Sequence, residues 1–246
     1  MHDVNSKRYW LIGASEGVGR ALADKLSRTG AEVIVSARNE DRLRELVQQL
    51  PGRAMAMPVD VTDRAALEAA VQDIGAVDTM VYLSGVLTPM TAQRYDTAEI
   101  EKMLDVNLLG AARAVGAVLP GMLERGTGRI VLTGSLSAYR GMSGFLGYAA
   151  SKAGLMSFAE SLRADLNESG ITVQIANPGY IRTNMTAGMK GRMPLRIEPE
   201  QAAERIFDLM QSERFARNFP LPTGLAAQMM QLMPDWLYFT LMGRKN

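Results

Sequence analysis

The chain has 246 residues, 47% of them apolar, with 27 Lys and Arg against 26 Asp and Glu for a net charge of +1. That suits one large α/β domain with a full core and gives no global field for holding nucleic acid, so none is expected as a partner. With no cysteine, and a lone histidine at position 2, disulfide frameworks, thiolate zinc sites and histidine triads drop out, no metal site is expected, and any chemistry falls to Tyr, Lys, Ser, Asp, Glu or a bound cofactor.

Residues 1–10 show no long apolar core and no cleavage pattern, and no stretch reads as a membrane span, so a cytoplasmic protein is expected. A short apolar run over 9–12 predicts a strand before a glycine turn. Helical spacing follows over 17–28 through Val18, Leu22 and Leu26. A β-branched run over 31–36 predicts the second strand, and 41–50 an amphipathic helix stopped by Pro51-Gly52. Residues 53–59 read as a strand, and 62–74 as a helix with Thr62 as its N-cap. The fourth strand is expected over 77–83. A long helical region covers 97–125, bent near Gly110. A strand over 129–133, a helix over 145–168 and a strand over 171–176 follow, the last stopped by Asn177-Pro178-Gly179. A helix over 199–211 and a short strand over 217–219 complete the pattern. Repeated strand–helix alternation with apolar strands predicts a Rossmann-type, doubly wound parallel sheet with helices on both faces, in one domain over 1–246.

Gly13-Ala14-Ser15-Glu16-Gly17-Val18-Gly19 lies between the first strand and the first helix. Glycines let backbone approach a ligand, and the free N–H groups of a helix start suit a pyrophosphate. The G-x3-G-x-G spacing is a weak signal by itself and equally describes a tight turn. The second strand ends Val35-Ser36-Ala37-Arg38. An acid there would bind the ribose 2′-hydroxyl of NAD, whereas an arginine accommodates the 2′-phosphate of NADP. NADP(H) is therefore expected over NAD(H). Arg38 as a solvated charge is the competing reading, and Glu16 is a mild objection because it lies near the same phosphate. Asp60, with Val61 after it, ends the third strand and is either an adenine contact or a helix-start aspartate.

Tyr148 and Lys152 stand at i, i+4 on one face of a predicted helix. A nearby ammonium favours phenolate and brings a phenol's pKa toward neutrality, where acid–base catalysis works best. Ser135 lies thirteen residues before Tyr148, with Ser137 as a rival, and Asn107 lies in the preceding helix.

From about residue 7 to 211 these motifs together resemble the short-chain dehydrogenase/reductase family. The resemblance implies that Tyr148 donates a proton to a carbonyl oxygen, that Lys152 lowers its pKa and holds the nicotinamide ribose, that Ser135 positions the substrate oxygen, and that Asn107 anchors a proton-passing water. The same resemblance assigns Gly13, Ser15, Glu16, Gly17, Val18, Gly19, Arg38, Asp60, Val61, Asn107, Tyr148, Lys152, Pro178, Gly179, Ile181 and Thr183 to the cofactor, the last two through the nicotinamide carboxamide. Two positions depart from the family pattern. Ile12 replaces a threonine, and Tyr82-Leu83-Ser84-Gly85 replaces Asn-Asn-Ala-Gly. Apolar packing is expected in place of the polar contacts that tie the central strands together.

By the same resemblance, residues of about 184–198 form a flexible lid over the substrate. Its Met185, Met189 and Met193 suit a bulky apolar ligand, and Lys190, Arg192 and Arg196 an acidic group, while a solvated loop of ordinary residues is an equal alternative. The segment 221–246 leaves the family pattern and carries Met229, Met230, Leu232, Met233, Trp236, Leu237, Tyr238, Phe239 and Leu241. Packing over the domain or site is the expected use. A subunit interface, or a membrane surface with Arg244 and Lys245 at the headgroups, are the others. A homodimer or tetramer built on the helices over 97–125 and 145–168 is implied. The expected function is a carbonyl–alcohol oxidoreductase acting on a small molecule. The alternatives are a dinucleotide-binding redox sensor or scaffold, which needs no proton donor, and a peripheral membrane reductase of lipid-like ketones.

Overall fold

Strict alternation of buried side chains organises the centre of the molecule. The computed structural model describes residues 7–189 and 193–242. Strand β1 (Arg8–Ile12) sends Trp10 and Ile12 to one core and Leu11 to the other, and each later strand divides in the same way. The strands are β1, β2 (Glu32–Ser36), β3 (Ala54–Ala56), β4 (Thr79–Tyr82), β5 (Gly128–Thr133), β6 (Ile171–Pro178) and β7 (Ala216–Phe219). They form one all-parallel sheet in the order β3-β2-β1-β4-β5-β6-β7.

Helices α1 (Gly17–Ser27) and α2 (Glu40–Gln49) cover one face together with a later helix, α8 (Pro199–Met210). The opposite face is covered by α3 (Arg64–Ile74), by the long helical segment before β5, and by α6 (Leu146–Asp165). This is the doubly wound, Rossmann-like α/β architecture. The chain winds outward from β1 to β3 and then crosses back to β4, so a crevice opens at the carboxyl ends of β1 and β4, where such sheets bind ligands.

Several boundaries differ from expectation. The N-cap of α3 is Asp63, whose carboxylate accepts from the Ala66 N–H, because Thr62 is already taken up in a turn closed by Asp60. Strand β3 has only three residues, as expected of a sheet edge. Strand β6 runs on through Asn177 and Pro178 because its partner β7 pairs along that length.

The long helix spans Thr97–Arg125 and is apolar and long enough by composition to cross a membrane. Here it is the β4–β5 crossover, with Ala111, Ala114, Val118 and Met122 in the core. It comprises α4 (Thr97–Leu104), a π-turn (Asp105–Leu109) and α5 (Gly110–Arg125). The expected bend near Gly110 is this π-turn, in which the Gly110 N–H donates five residues back to the Asp105 carbonyl. Such turns gather at functional sites.

The end of the chain forms α9 (Leu221–Leu232) and α10 (Asp235–Met242). The packing expected here holds for one face only. Ala227 and Tyr238 are buried, while Leu232 and Trp236 are 80% and 72% exposed, alongside Leu225, Met229 and Phe239.

Candidate active site

The turn after β1 is built by close approach. Gly13 adopts φ 96°, and a Cβ on it would sit 2.5 Å from the Ser84 nitrogen, so no other residue lets the β1 and β4 ends meet here. A Cβ on Gly19 would lie 2.3 Å from the Gly13 carbonyl, which presses α1 onto the turn. Glu16 puts no side-chain oxygen on the first turn of α1, and that turn carries no acid. Its N–H groups and the positive end of the helix dipole are left for an anion.

This turn forms one limb of a cavity of about 1000 Å³. Of the residues expected at the cofactor, Gly13, Ser15, Glu16, Gly17, Val18 and Gly19 line it, as do Arg38, Asp60 and Val61. So do Tyr148, Lys152, Pro178, Gly179, Ile181 and Thr183. The donor set fits a dinucleotide: a glycine turn on a helix start, then cations at the end of β2. Two residues missed from sequence, Asn39 and Arg42, join Arg38 there. Arg42 was findable, standing one helical turn after Arg38. Its guanidinium donates to Glu16 at 3.1 Å, and Asn184 donates to the same carboxylate at 2.8 Å. The negative charge that would oppose a phosphate is thereby paired.

Asp60 accepts from both the N–H and the hydroxyl of Thr62 at 2.9 and 2.8 Å. The Thr62 N–H holds its pKa below the ordinary aspartate range, aided by Arg38 and opposed by partial burial. It serves the turn before α3 while still facing the cavity.

Where the limbs join, Ser135 caps a short 3-10 turn (Leu136–Ala138). Its hydroxyl oxygen accepts from the Ser137 N–H at 3.1 Å and from the Ser137 hydroxyl at 2.9 Å. Its own hydrogen is left to donate on the cavity side, where Tyr148 stands beside it. Ser137 thus orients Ser135 instead of replacing it. Lys152, 3% exposed, donates to the Thr133 carbonyl at 2.7 Å and lies 5.8 Å from the centre of the Tyr148 ring.

The direction of the phenol's pKa is the reverse of that expected. Burial pushes Tyr148 up, and only the Ser135 hydrogen bond opposes it. Burial also brings Lys152 down to about 8. Desolvation penalises both charged forms, and the ammonium is turned toward Thr133. The phenol is consequently a neutral donor at physiological pH.

Asn107 does not line the cavity. It is fully buried, donates to the Val86 carbonyl at 3.0 Å and the Ser151 hydroxyl at 2.9 Å, and accepts from the Val86 N–H at 2.8 Å. Its side chain fastens the segment after β4 to α6, whereas sequence reading expected it to hold water and cofactor. Ser151 in turn donates to the Tyr148 carbonyl at 2.8 Å.

Of the two departures, one resolves as expected and the other does not. Ile12 is packed in the core as expected. Tyr82 is fully buried too, but its hydroxyl donates to the Val106 carbonyl at 2.5 Å, inside the π-turn. A Cβ on Gly110 would lie 2.5 Å from that hydroxyl, so glycine at 110 makes room for tyrosine at 82. One polar tie has replaced another.

The second limb is walled by Leu136, Met142, Phe145, Met185, Met189 and Pro194, and by α9 and α10. Between β6 and α8 the chain makes a short helix, α7 (Asn184–Ala187). The expected lid is pinned at both ends, since the Arg182 N–H donates to the Ile197 carbonyl and the Ile197 N–H to the Tyr180 carbonyl. Arg196 turns to the Thr186 hydroxyl at 3.3 Å and does not line the cavity, nor does Met193. Lys190 and Arg192, like Arg244 and Lys245, lie outside the described residues.

The model of the family described as short chain dehydrogenase matches residues 7–193. An uncharacterized oxidoreductase of Myxococcus xanthus is 32% identical over 97% of each chain. A 3-oxoacyl-acyl-carrier-protein reductase of Salmonella typhimurium is 34% identical over 80% of this chain and 82% of its own. Among solved structures, an actinorhodin polyketide ketoreductase with NADPH superposes at a TM-score of 0.81, with 27% identity over 91% of this chain and 99% of that one.

Proposed function

Because the chain belongs to the short-chain dehydrogenase family, we propose that it interconverts a carbonyl compound and a secondary alcohol, prefers NADPH to NADH, and uses Tyr148 as the proton donor in reduction and acceptor in oxidation. One observation carries this reading. Ser135, accepting twice from Ser137, keeps its own hydrogen to donate and faces the same cavity as Tyr148. The Ser135 and Tyr148 hydroxyls can then both point at one substrate oxygen in the cavity.

When bound, the nicotinamide supplies the hydride; the protein supplies position and electrostatics. Tyr148, kept neutral by burial, hands its proton to the developing alkoxide. Ser135 holds that oxygen. Lys152 sets a positive charge beside the site and, with a pKa near 8, exchanges protons at working pH. Asn107 and Ser151 hold Tyr148 and the Val86 segment in place. The NADPH preference is supported by Arg38 just after β2 and Arg42 in the first turn of α2, with Glu16 paired to Arg42.

The test is Tyr148→Phe. Ketone-dependent NADPH oxidation is expected to fall about a thousandfold, while NADPH affinity, followed by its fluorescence, stays within about twofold on a scale where tenfold is 1.4 kcal/mol. Turnover near the unmodified rate would reject Tyr148 as the acid.

A further inference from the structure

The two limbs of the cavity differ in charge. Every charged residue of the described wall other than Lys152, namely Glu16, Arg38, Arg42 and Asp60, stands in the cofactor limb. Lys152 sits at the junction, turned to the Thr133 carbonyl. Among the described residues, the substrate limb is walled by apolar side chains and a few hydroxyls. A carboxylate or phosphate placed there would lose water and gain no cation from the described residues of this wall.

One side of this limb is the inner face of the C-terminal helices, through Ala226, Ala227, Met230 and Met242. These helices are fastened by a residue ninety positions earlier. The Arg140 guanidinium donates to the Met230 carbonyl at 2.8 Å, to the Met233 carbonyl, and to the Asp235 carboxylate at 2.5 Å. It also lies 4.0 Å over the ring of Tyr238, whose hydroxyl donates to the Gly141 carbonyl at 2.5 Å. The planar fork of a guanidinium spreads five donors over three nitrogens and so reaches acceptors that lie apart, whereas an ammonium offers three donors from a single point. The Met230 carbonyl belongs to the last turn of α9 and Met233 is its extended C-cap residue, so the cation also answers the helix dipole.

Arg140 stands in the loop that begins with Ser135 and continues to Met142, another cavity residue. The group that orients the substrate oxygen and the anchor of the apolar wall are therefore five residues apart on one loop. Met230 is both an acceptor for the anchor and part of the wall.

We propose that α9 and α10 are a specificity cap, locked by Arg140 and Tyr238, that selects a neutral carbonyl compound with an extended apolar body. This rests on the reading of the cavity as a carbonyl–alcohol site. Arg140 acts as a positioning residue, through the cap.

The experiment compares kcat/KM for 2-butanone, 2-dodecanone and a keto acid of the same length as the latter, with NADPH. The unmodified enzyme is expected to favour 2-dodecanone over the keto acid by roughly tenfold or more, the scale that apolar pocket contacts supply. Arg140→Leu is expected to lower the 2-dodecanone to 2-butanone ratio by about tenfold, mainly through KM, and Arg140→Lys to fall between. Tyr238→Phe, which removes only the hydroxyl, is expected to shift the ratio in the same direction and serves if Arg140→Leu does not fold. Equal turnover of keto acid and neutral ketone, or an unchanged ratio in the folded variants, overturns the cap. If the enzyme binds NADPH yet reduces none of the three, the reductase reading itself fails, and the cap with it.

Discussion

The two limbs of the cavity are made in opposite ways. The cofactor limb is local: a glycine turn, a strand end and a helix start within residues 13–61 supply its backbone donors and its charges. The substrate limb is assembled from distant pieces, a loop after β5, the segment after β6 and the last two helices, and its wall is apolar. A ligand rich in phosphate is recognised by backbone geometry and cations, which need few residues in fixed order. An apolar body is recognised by enclosed shape, which any set of large side chains brought together by the fold provides.

If that contrast holds, damage to one limb should leave the other working. The largest effect is expected at Arg38. Arg38→Asp should lower the NADPH-over-NADH preference about a hundredfold, since a bidentate cation is replaced by a repelling anion. Kinetics with both cofactors measure it, and equal loss of the two would make Arg38 a plain surface charge.

The next effect belongs to the junction. Lys152 has a folded pKa of about 8, below its ordinary 10.5, because burial disfavours its charge. The folded state therefore binds fewer protons than the unfolded state between these values, and stability rises with pH across that window. The buried ammonium opposes folding fully below pH 8, and the penalty is relieved toward pH 10.5. Between pH 8 and about 9.5 the gain should be about 2 kcal/mol relative to Lys152→Met, read by denaturant unfolding. Parallel stability curves for the two proteins would mean that Lys152 is charged without penalty.

The smallest effect is expected behind the wall. Tyr82→Phe leaves the Val106 carbonyl without its donor and should cost about 1 kcal/mol. Gly110→Ala places a Cβ against the same hydroxyl, so the double variant should lose less than the sum of the two singles by about 1 kcal/mol. Strict additivity would show that the π-turn is held by something other than Tyr82.

The fold was legible because its strands are apolar runs separated by amphipathic helices, and the closeness of Tyr148 and Lys152 because four residues is one helical turn. Glycine spacing and Arg38 announced the cofactor limb for the same reason, namely that local order carries the signal. What sequence reading missed depends on tertiary placement. The ties of the Asn107 amide to Val86 and Ser151 were not foreseen, since they join segments far apart in the chain. The ammonium was expected to acidify Tyr148, but burial of the phenol raises its pKa with only Ser135 opposing, and burial is not written in an i, i+4 spacing. Arg140 gave no local sign, since its partners lie beyond residue 229. Tyr82 was read as apolar filling because nothing in the sequence says where its hydroxyl points.

The surplus residue in the π-turn has a consequence for how this helix tolerates change. A helix advances about 100° per residue, so removing one residue from 105–109 would restore ordinary bonding but swing everything before it around the axis. Met103, now fully buried, would be carried off the core, and the amide that grips Val86 would leave its partners. Along this 29-residue rod, single-residue deletions should be far less forgivable at that one swollen turn than substitutions are.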